Sequence, residues 1–490
     1  MGRLAFLIPP DRWGRATDRD KASGLGTQRI SWIDGGGPFT PPMDLMYSAA
    51  VAEQLGWQVD IVDAAARRLK PARCVEAIAA LKPDWVGVRL ALGPLQDDLA
   101  LVERIKAACP HTRIFLFGAV IQSTFHLWRE QTTADLALYG EAEGLIPQVL
   151  ALPDPLPAAL PAGLIQPGRR DQQPGEWLFV SYLDRLPFPA WHLLNLDDYD
   201  PRGHGRNFTF YLLASRGCPK ACTMCPYYTH QGAAWRSRSA ANIVAELEML
   251  VQRYGPVHVQ TRDPNFGFNK KRLRELLAAI KASPVLMPAG QPQLRLRVET
   301  DLESLTPADI QAMADIGVTH IMTGVESTDP AVLKNIGQSA VTIPAIYKNI
   351  ELCRARGIQV IAFYLVGMPD ETWQAVWRTA RFGRALHTPS WVSILIPYHD
   401  TEIRAELERE GLFSDRYAMS RYSGLLPLAR GRYMRRWEIL LAYLLVRIWV
   451  GNSHQVVRTL GHTLKLTIRQ WRSAFSARLA TAGVTQGVRS

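Results

Sequence analysis

Three of the six cysteines in this 490-residue chain lie within eight positions of one another. They are Cys218, Cys222 and Cys225, in the run RGCPKACTMCP. Such crowding is typical of a metal site in a reducing compartment and not of the disulfide framework of a secreted protein. Three thiolates can bind three irons of a cubane, which leaves the fourth iron open to a substrate group. The spacing therefore predicts an iron-sulfur cluster with one reactive iron.

A structural zinc site or a four-cysteine cluster is the alternative for the same residues. Either one needs a fourth ligand. The other cysteines, Cys74, Cys109 and Cys353, lie in unrelated helical patterns, and no spacing marks His230 as a ligand. The three-cysteine cluster is therefore the favoured interpretation.

The elements that must position these cysteines alternate between strand and helix patterns. In the first part of the chain, apolar runs such as residues 58–62, 85–88 and 114–117 are separated by helical stretches. This alternation predicts βαβ units and a parallel sheet. A second series, from residue 208 to residue 395, has six such units, and the cysteine run follows its first strand. Six units predict a partial (β/α) barrel that binds ligands at the C-terminal ends of its strands.

We expect an α/β chain of four parts. Residues 1–150 should form a Rossmann-like, flavodoxin-like parallel sheet domain, and residues 151–205, rich in proline and glycine at their start, a linker. Residues 206–400 should form the partial (β/α)6 barrel, and residues 401–490 a helical, basic amphipathic region. This order places the cysteines at the mouth of the second domain.

The net charge of +11 is concentrated near the C-terminus. Residues 430–478 contain ten Lys or Arg and one acidic residue, so the basic character is local and unlike that of a general nucleic-acid-binding surface. Residues 437–450 are largely apolar but too short to span a bilayer. Between Leu460 and Phe475, apolar residues recur every three or four positions with basic ones between them. This pattern predicts a helix that either lies on an anionic membrane or packs on the barrel.

The C-x3-C-x2-C spacing resembles that of the radical S-adenosylmethionine (SAM) superfamily. Met224 stands where an aromatic residue is common in that superfamily. The resemblance implies a [4Fe-4S] cluster whose open iron binds the amino and carboxylate groups of SAM. One electron from the cluster then breaks the sulfonium C–S bond and gives a 5′-deoxyadenosyl radical.

Three later segments are similar to strand-end segments that hold SAM in the same superfamily. Residues 257–266 resemble "DDNF", residues 324–327 resemble "GxES" and residues 367–372 resemble "GxPxET", while Glu299 ends a further strand. The SAM-binding residues implied by this resemblance are Asp263, Asn265, Glu299, Gly324, Glu326, Ser327, Gly367 and Pro369.

The region ahead of the barrel resembles the cobalamin-binding domain of the cobalamin-dependent radical SAM subfamily. Residues 41–46 stand where that family has "PPLGL", residues 84–88 where it has "DVVGI", and residues 139–143 match its "GEGE" segment. The lower-ligand motif DxHxxG is absent from the sequence, so the resemblance implies cobalamin without a histidine ligand from below. The implied cobalamin-binding residues are Phe117, Gly118, Tyr139, Gly140 and Glu141.

The resemblance implies a C-methyltransferase that acts on an unactivated carbon of a lipophilic or secondary-metabolite precursor. A radical SAM cyclase or oxidoreductase, with the N-terminal domain as a scaffold, is the alternative. Tyr228, His230 and Arg236 follow the cluster motif and are candidates to face the substrate.

The expected partners are a small molecule and an electron donor such as flavodoxin or ferredoxin. No nucleic-acid partner is expected, because tRNA methylthiotransferases have a second cysteine cluster near the N-terminus, where this chain has only Cys74 and Cys109. The expected location is the cytoplasm, with peripheral contact to the inner face of the membrane through the C-terminal region.

Overall fold

Two six-stranded sheets form the framework of the protein. The structure, a computed structural model, describes residues 2–10, 16–19, 25, 27–29, 40–169, 171–199, 208–338, 343–414 and 421–450. The first sheet lies in the N-terminal part of the chain, and the second follows residue 208. The predicted α/β fold, with a parallel sheet ahead of a partial barrel, is confirmed.

The N-terminal sheet alternates strands with helices, as the apolar runs predict. Its elements are β1 (Arg3–Ile8), β2 (Ala16–Asp18), β3 (Thr27–Arg29), α1 (Met43–Gln54), β4 (Gln58–Asp63), α2 (Pro71–Leu81), β5 (Trp85–Arg89), α3 (Leu95–Ala108), β6 (Arg113–Phe117), α4 (Val120–Ser123), α5 (Phe125–Trp128), β7 (Leu136–Leu138), α6 (Ala142–Leu150) and β8 (Leu164–Ile165). The strand order is β4-β1-β5-β6-β7-β8, and β2 pairs with β3 in a separate hairpin. The parallel part has the flavodoxin-like order, so its switch point lies beside β1 and ligands belong at the adjacent C-terminal strand ends.

Part of the predicted linker belongs to this first sheet. β8 pairs antiparallel with β7, and Gly140 forms a further bridge with Leu178. Residues 164–165 and Leu178 of this segment therefore extend the edge of the N-terminal sheet. Sequence composition did not indicate this role, because proline and glycine mark loops without showing what the loops pair with.

An aromatic cluster fills one side of the N-terminal sheet. The ring of Phe6 lies 6.0 Å from that of Phe115 and 5.8 Å from that of Phe117, and Trp85 lies 6.0 Å from Phe115. Gly87 makes room for this cluster, since a Cβ there would lie 2.4 Å from the Phe115 ring. The bulky rings and the small residue between them fix the spacing of β1, β5 and β6.

The second sheet is the half-barrel that six strand-helix units predict. Its elements are β9 (Thr209–Leu212), β10 (Ser215–Arg216), α7 (Pro226–Gln231), β11 (Arg236–Ser237), α8 (Ala240–Tyr254), β12 (Val257–Thr261), α9 (Lys270–Ala282), β13 (Leu294–Glu299), α10 (Pro307–Asp315), β14 (Val318–Glu326), α11 (Pro330–Asn335), α12 (Ile343–Ala355), β15 (Gln359–Val366), α13 (Trp373–Ala385) and β16 (Ser390–Ile394). The sheet runs β9-β12-β13-β14-β15-β16, and every neighbouring pair is parallel. All C-terminal strand ends therefore meet at one edge, beside the cysteine loop.

Two helices, α14 (Glu402–Arg409) and α15 (Arg436–Val450), follow the half-barrel. α15 packs against α13 and the edge strand β16 through the buried side chains of Ile439, Ala442, Tyr443 and Val446. None of the helices in the described ranges has the length and apolar character needed to cross a membrane. The predicted amphipathic helix between Leu460 and Phe475 lies outside the described residues.

We expect Phe115→Ala to lower the free energy of unfolding by about 3–5 kcal/mol, because it leaves a cavity inside the aromatic cluster. The midpoint of urea unfolding, followed by tryptophan fluorescence, measures this loss. Tyr182→Ala is the matched control, since that ring is 67% exposed and its removal should change the free energy by less than about 0.5 kcal/mol. Equal effects of the two substitutions would contradict the packing.

Candidate functional site

The cysteine loop leaves the half-barrel at the end of its first strand. β10 and β11, on either side of the loop, pair antiparallel and close it into a compact turn. Gly217 has a φ of +82°, and a Cβ there would lie 2.2 Å from the carbonyl oxygen of Ala234, so only glycine fits. The Cys218 amide donates to the carbonyl of Gly232 at 3.1 Å. These contacts hold the cysteines at the C-terminal edge of the barrel sheet.

The three thiols are partly shielded from solvent. Burial raises the pKa of all three, to about 12 for Cys225. Gln338 Nε2 lies 3.5 Å from the Cys222 sulfur as a donor, and Lys220 within the loop forms an ion pair with Asp301. In such surroundings the thiols stay protonated until a metal replaces their protons.

The donor set fits a cubane with one open iron. In the described part of the chain, no three or more His, Cys, Asp or Glu side chains are grouped closely enough to hold one metal ion. Three thiols on three different irons of a cubane lie further apart than the ligands of a single ion. Cys218, Cys222 and Cys225 remain the proposed ligands of the cluster that the motif implies.

Two of the predicted SAM-binding side chains contact other parts of the protein. The Asp263 carboxylate is buried and accepts hydrogen bonds from the Ser215 hydroxyl at 2.5 Å and the Ala214 amide at 3.2 Å. The Asn265 side-chain oxygen accepts one from the Thr300 hydroxyl at 2.9 Å. Both residues tie neighbouring strand ends together. Their expected role in SAM binding would therefore rest on backbone groups.

Glu299 and Glu326 end the neighbouring strands β13 and β14 at the same edge. Burial and the charge of Glu299 raise the pKa of Glu326 to about 8. A Cβ at Gly324 would lie 2.5 Å from a carboxylate oxygen of Glu326, so the glycine makes room for that side chain. The buried Ser327 hydroxyl accepts the Asp329 amide at 3.2 Å. At neutral pH the Glu326 carboxyl group is therefore protonated beside Glu299. A cationic ligand would favour its ionised form instead.

The loop after β15 contains the last two predicted SAM-binding residues. Gly367 has a φ of +90° and donates its amide to the Glu371 carboxylate at 2.5 Å. The carbonyl oxygen of Pro369 accepts the Arg432 amide at 2.8 Å. Burial raises the pKa of Glu371 to about 8, although the Gly367 amide opposes this rise. The loop is thus held by its own carboxyl group and by the C-terminal region.

An open cavity of about 80 Å³ lies between the two sheets. On one side it is lined by Arg89, Gly118 and Gly140, which end or follow the parallel strands β5, β6 and β7. On the other side it is lined by Arg216 and His230, which flank the cysteine loop. The cavity therefore joins the switch-point edge of the first sheet to the mouth of the half-barrel.

Three of the five predicted cobalamin-binding residues line this cavity, namely Gly118, Gly140 and Glu141. The other two lie behind its wall. Phe117 belongs to the buried aromatic cluster, and the ring of Tyr139 packs edge-on against Trp177 at 5.2 Å. The two aromatic residues support the cavity, and the two glycines form part of its surface.

Four charged residues join the N-terminal domain to the cysteine loop. Arg216 pairs with Glu143 and lies 3.2 Å from Glu141. Arg236 donates two hydrogen bonds to Glu141, at 2.8 and 2.9 Å. Burial alone would raise the pKa of Glu141, but the two guanidinium groups outweigh it and lower that pKa. The sequence shows these residues without showing their pairing, because 73 or more positions separate the partners.

The three candidate substrate residues occupy different places. The Arg236 guanidinium is bound by Glu141, so it serves the domain contact and does not face a substrate. Tyr228 is 36% exposed on α7 and is absent from the cavity lining. His230 lines the cavity and is 3% exposed. Of the three, only His230 is brought to the cavity.

Two family models match this chain. The B12 binding domain model matches residues 36–150, and the radical SAM superfamily model matches residues 212–383. The chain is 24% identical over 368 residues to an uncharacterised methyltransferase of Pyrococcus horikoshii, covering 74% of this chain and 77% of the relative. It is 26% identical over 383 residues to cytidylyl-2-hydroxyethylphosphonate methyltransferase of Streptomyces wedmorensis, covering 67% and 69%.

A solved structure has the same fold. The radical SAM methyltransferase TsrM from Kitasatospora setae, with cobalamin and a [4Fe-4S] cluster bound, aligns with a TM-score of 0.61 at 20% identity. The alignment covers 84% of this chain and 75% of TsrM. The matches to the two family models identify the chain as a radical SAM enzyme that carries a B12-binding domain ahead of its half-barrel.

The raised pKa of Glu371 predicts a pH-dependent stability. Between the unfolded value of 4.5 and about 8, the folded protein holds a proton that the unfolded chain releases, so the free energy of unfolding falls as pH rises. Glu371→Gln cannot ionise and should reduce this slope by up to about 1.4 kcal/mol per pH unit. Urea unfolding of the protein without cofactors from pH 5 to 8 measures the slope. The exposed Glu402→Gln is the control, and an unchanged slope in Glu371→Gln would refute the assignment.

Proposed function

We propose that this enzyme transfers a methyl group from SAM, through cobalamin, to a carbon atom of a small lipophilic molecule. The two curated relatives described above are both named as methyltransferases. The cavity carries the proposal, because it sets the glycine-lined edge of the B12-binding domain against the cysteine loop. Cobalamin bound in the first domain and a cluster bound in the second would then both reach a substrate in this cavity.

The residues around the cavity suit these cofactors. Cys218, Cys222 and Cys225 would hold the cluster through three irons. When bound, the cluster supplies the electron that cleaves SAM, and cobalamin supplies the methyl group. Glu326, beside Glu299, offers a carboxylate to the cationic amino group of SAM, whose charge would lower the raised pKa of Glu326.

The chain contributes shape and the exclusion of water. Gly118 lines the cavity, and its φ of +113°, together with the 3.2 Å that would separate a Cβ from the carbonyl oxygen of Leu90, favours glycine at this position. The ion pair of Arg216 with Glu143, both of which line the cavity, links the two domains there. A site that excludes water protects radical intermediates from side reactions.

A radical SAM enzyme of this type takes a small-molecule substrate and needs a reductant. We propose that a flavodoxin or a ferredoxin supplies the electron. The apolar nature of the substrate is also part of the proposal. The basic C-terminal region supports it, because an enzyme held at a membrane surface has direct access to lipophilic molecules.

Labelled SAM tests the proposed reaction. Protein purified without oxygen and reconstituted with iron, sulfide and cobalamin should hold about four irons per chain together with bound corrin. With a chemical reductant and SAM carrying a deuterated methyl group, the label should reach the bound cobalamin, measured by mass spectrometry after acid release. Iron without corrin, or corrin without label, would overturn methyl transfer and favour the cyclase or oxidoreductase alternative.

A pair of cysteine variants controls this experiment. Cys222→Ala should lose the iron and the formation of 5′-deoxyadenosine while it still binds cobalamin. Cys109 is a partly buried cysteine of the N-terminal domain, outside the motif. Cys109→Ala should therefore keep both cofactors.

We also propose that the C-terminal region contacts an anionic membrane surface. α15 exposes Trp437, Leu441 and Trp449, and the Trp449 ring packs at 5.6 Å against Trp377 of α13. The net charge of +9 in residues 430–478 lies in the same part of the chain. Aromatic and basic side chains together suit the interface of an anionic bilayer. This proposal includes a cytoplasmic location, at the inner face of the membrane, which the six free cysteines support.

Vesicle binding tests the membrane proposal. The full chain should sediment with vesicles containing phosphatidylglycerol and be released by salt, because screening weakens the attraction to the anionic surface. Leu441→Glu, at an exposed position of α15, should weaken binding to the vesicles. Tyr182→Glu, at an exposed ring between the two domains, should not. Equal binding to neutral phosphatidylcholine vesicles, or binding to RNA instead of vesicles, would contradict the proposal.

A further inference from the structure

Two buried aromatic-ring nitrogen atoms in residues that line the interdomain cavity lack hydrogen-bond partners. One is Nε2 of His230, and the other is the indole Nε1 of Trp177. Buried polar groups in proteins are nearly always hydrogen-bonded, and leaving one unpaired costs free energy. Their position in the wall of a cavity indicates a ligand that supplies the missing partners.

The contacts of His230 identify its free nitrogen as an acceptor. Nδ1 of His230 lies 3.1 Å from the side-chain oxygen of Gln122 on α4, which can only accept a hydrogen bond. Nδ1 therefore carries the proton, and Nε2 presents a lone pair. Burial and the neighbouring His399 lower the pKa of His230 to about 3. The ring stays neutral at physiological pH.

Trp177 provides the complementary donor. An indole nitrogen donates and does not accept. The ring is held edge-on against Tyr139, and its neighbour Leu178 bridges to Gly140 at the edge of the first sheet. The indole is thus fixed by the N-terminal domain, although it comes from the segment that the sequence marks as a linker.

Two nearby arginines of the cavity already have partners. Arg216 pairs with Glu143, and Arg89 lies 3.1 Å from Asp44. An anion would therefore have to compete with carboxylates at these positions. A neutral group that both donates and accepts matches His230 and Trp177 directly.

We infer that His230 and Trp177 together bind a carboxamide group, whose NH2 donates to His230 and whose carbonyl oxygen accepts from Trp177. This inference rests on the proposed function, and the carboxamide is then one of the side-chain amides at the edge of the corrin ring. The amide contact joins α7, which follows directly on Cys225, to the edge of the first sheet. Both are positioning residues for the corrin, and neither touches the reacting atoms.

Cobalamin binding to the iron-loaded protein tests this assignment. His230→Phe removes the acceptor and Trp177→Phe removes the donor, while both keep an aromatic ring. Each should weaken the binding of hydroxocobalamin, followed by absorbance, about tenfold. The double variant should lose less than the product of the two single effects, because both residues hold the same group. Iron content, which neither substitution should change, reports that the half-barrel is intact.

Trp235→Phe is the matched control. Its indole nitrogen is also buried without a partner, but the residue is absent from the cavity lining, so this variant should bind cobalamin as the parent does. Cobalamin monocarboxylates, in which one amide at a time is an acid, identify the group. The parent should discriminate against one isomer, and both single variants should lose that discrimination.

Unchanged cobalamin affinity in both variants would overturn the inference, and would be the result if the carboxamide belonged to the substrate. A loss of cobalamin affinity in the double variant equal to the product of the two single losses would show that the two residues do not bind the same group. Failure of the parent protein to bind cobalamin is a different result, since it would remove the proposed function itself.

Discussion

A buried guanidinium group links the two domains at the start of the cysteine loop. Arg216 is 5% exposed and lies two residues before Cys218. Its partners are Glu141 and Glu143 of the B12-binding domain. Removing one side of such a pair leaves an uncompensated buried charge, which costs about 3–5 kcal/mol. The position of the cysteines relative to the cavity therefore depends on charges that are neutralised across the domain contact.

The glutamates at the domain contact and those at the barrel edge differ in the charges that surround them. Those at the domain contact are matched by arginines, and the guanidinium groups hold the pKa of Glu141 low despite its burial. At the barrel edge, Glu326 faces another carboxylate, and its pKa is raised to about 8. The Glu141 carboxylate is satisfied by the hydrogen bonds of Arg236. The Glu326 carboxyl group gains most from a cation, and SAM carries one.

Local patterns were sufficient to predict the fold and the place of the cluster motif. Alternating apolar and helical runs predicted a parallel sheet and a half-barrel of six units, because strand and helix periods are written in neighbouring residues. The strand order of the first sheet was not predicted from this alternation. Gly118 and Gly140, which line the cavity, were located through the resemblance to the cobalamin-binding domain.

The remaining features depend on contacts between distant residues. Arg236 was a candidate to face the substrate, but it pairs with Glu141, 95 positions earlier. Asp263 has the expected place at a strand end, yet its carboxylate is bound by the Ser215 hydroxyl. Phe117 could have been recognised as a core residue from the period of the strand, because it shares a face with Phe115. No sequence pattern indicated that Trp177 would reach the cavity.

The predicted linker, which begins at residue 151, does not mark the structural boundary between the two domains. β8 and the bridge at Leu178 bind this segment to the first sheet, and its Trp177 lines the shared cavity. A recombination event that joined a foreign B12-binding domain at residue 151 would leave these elements attached to the wrong partner. The segment and the N-terminal domain should therefore have been inherited together, as one evolutionary unit.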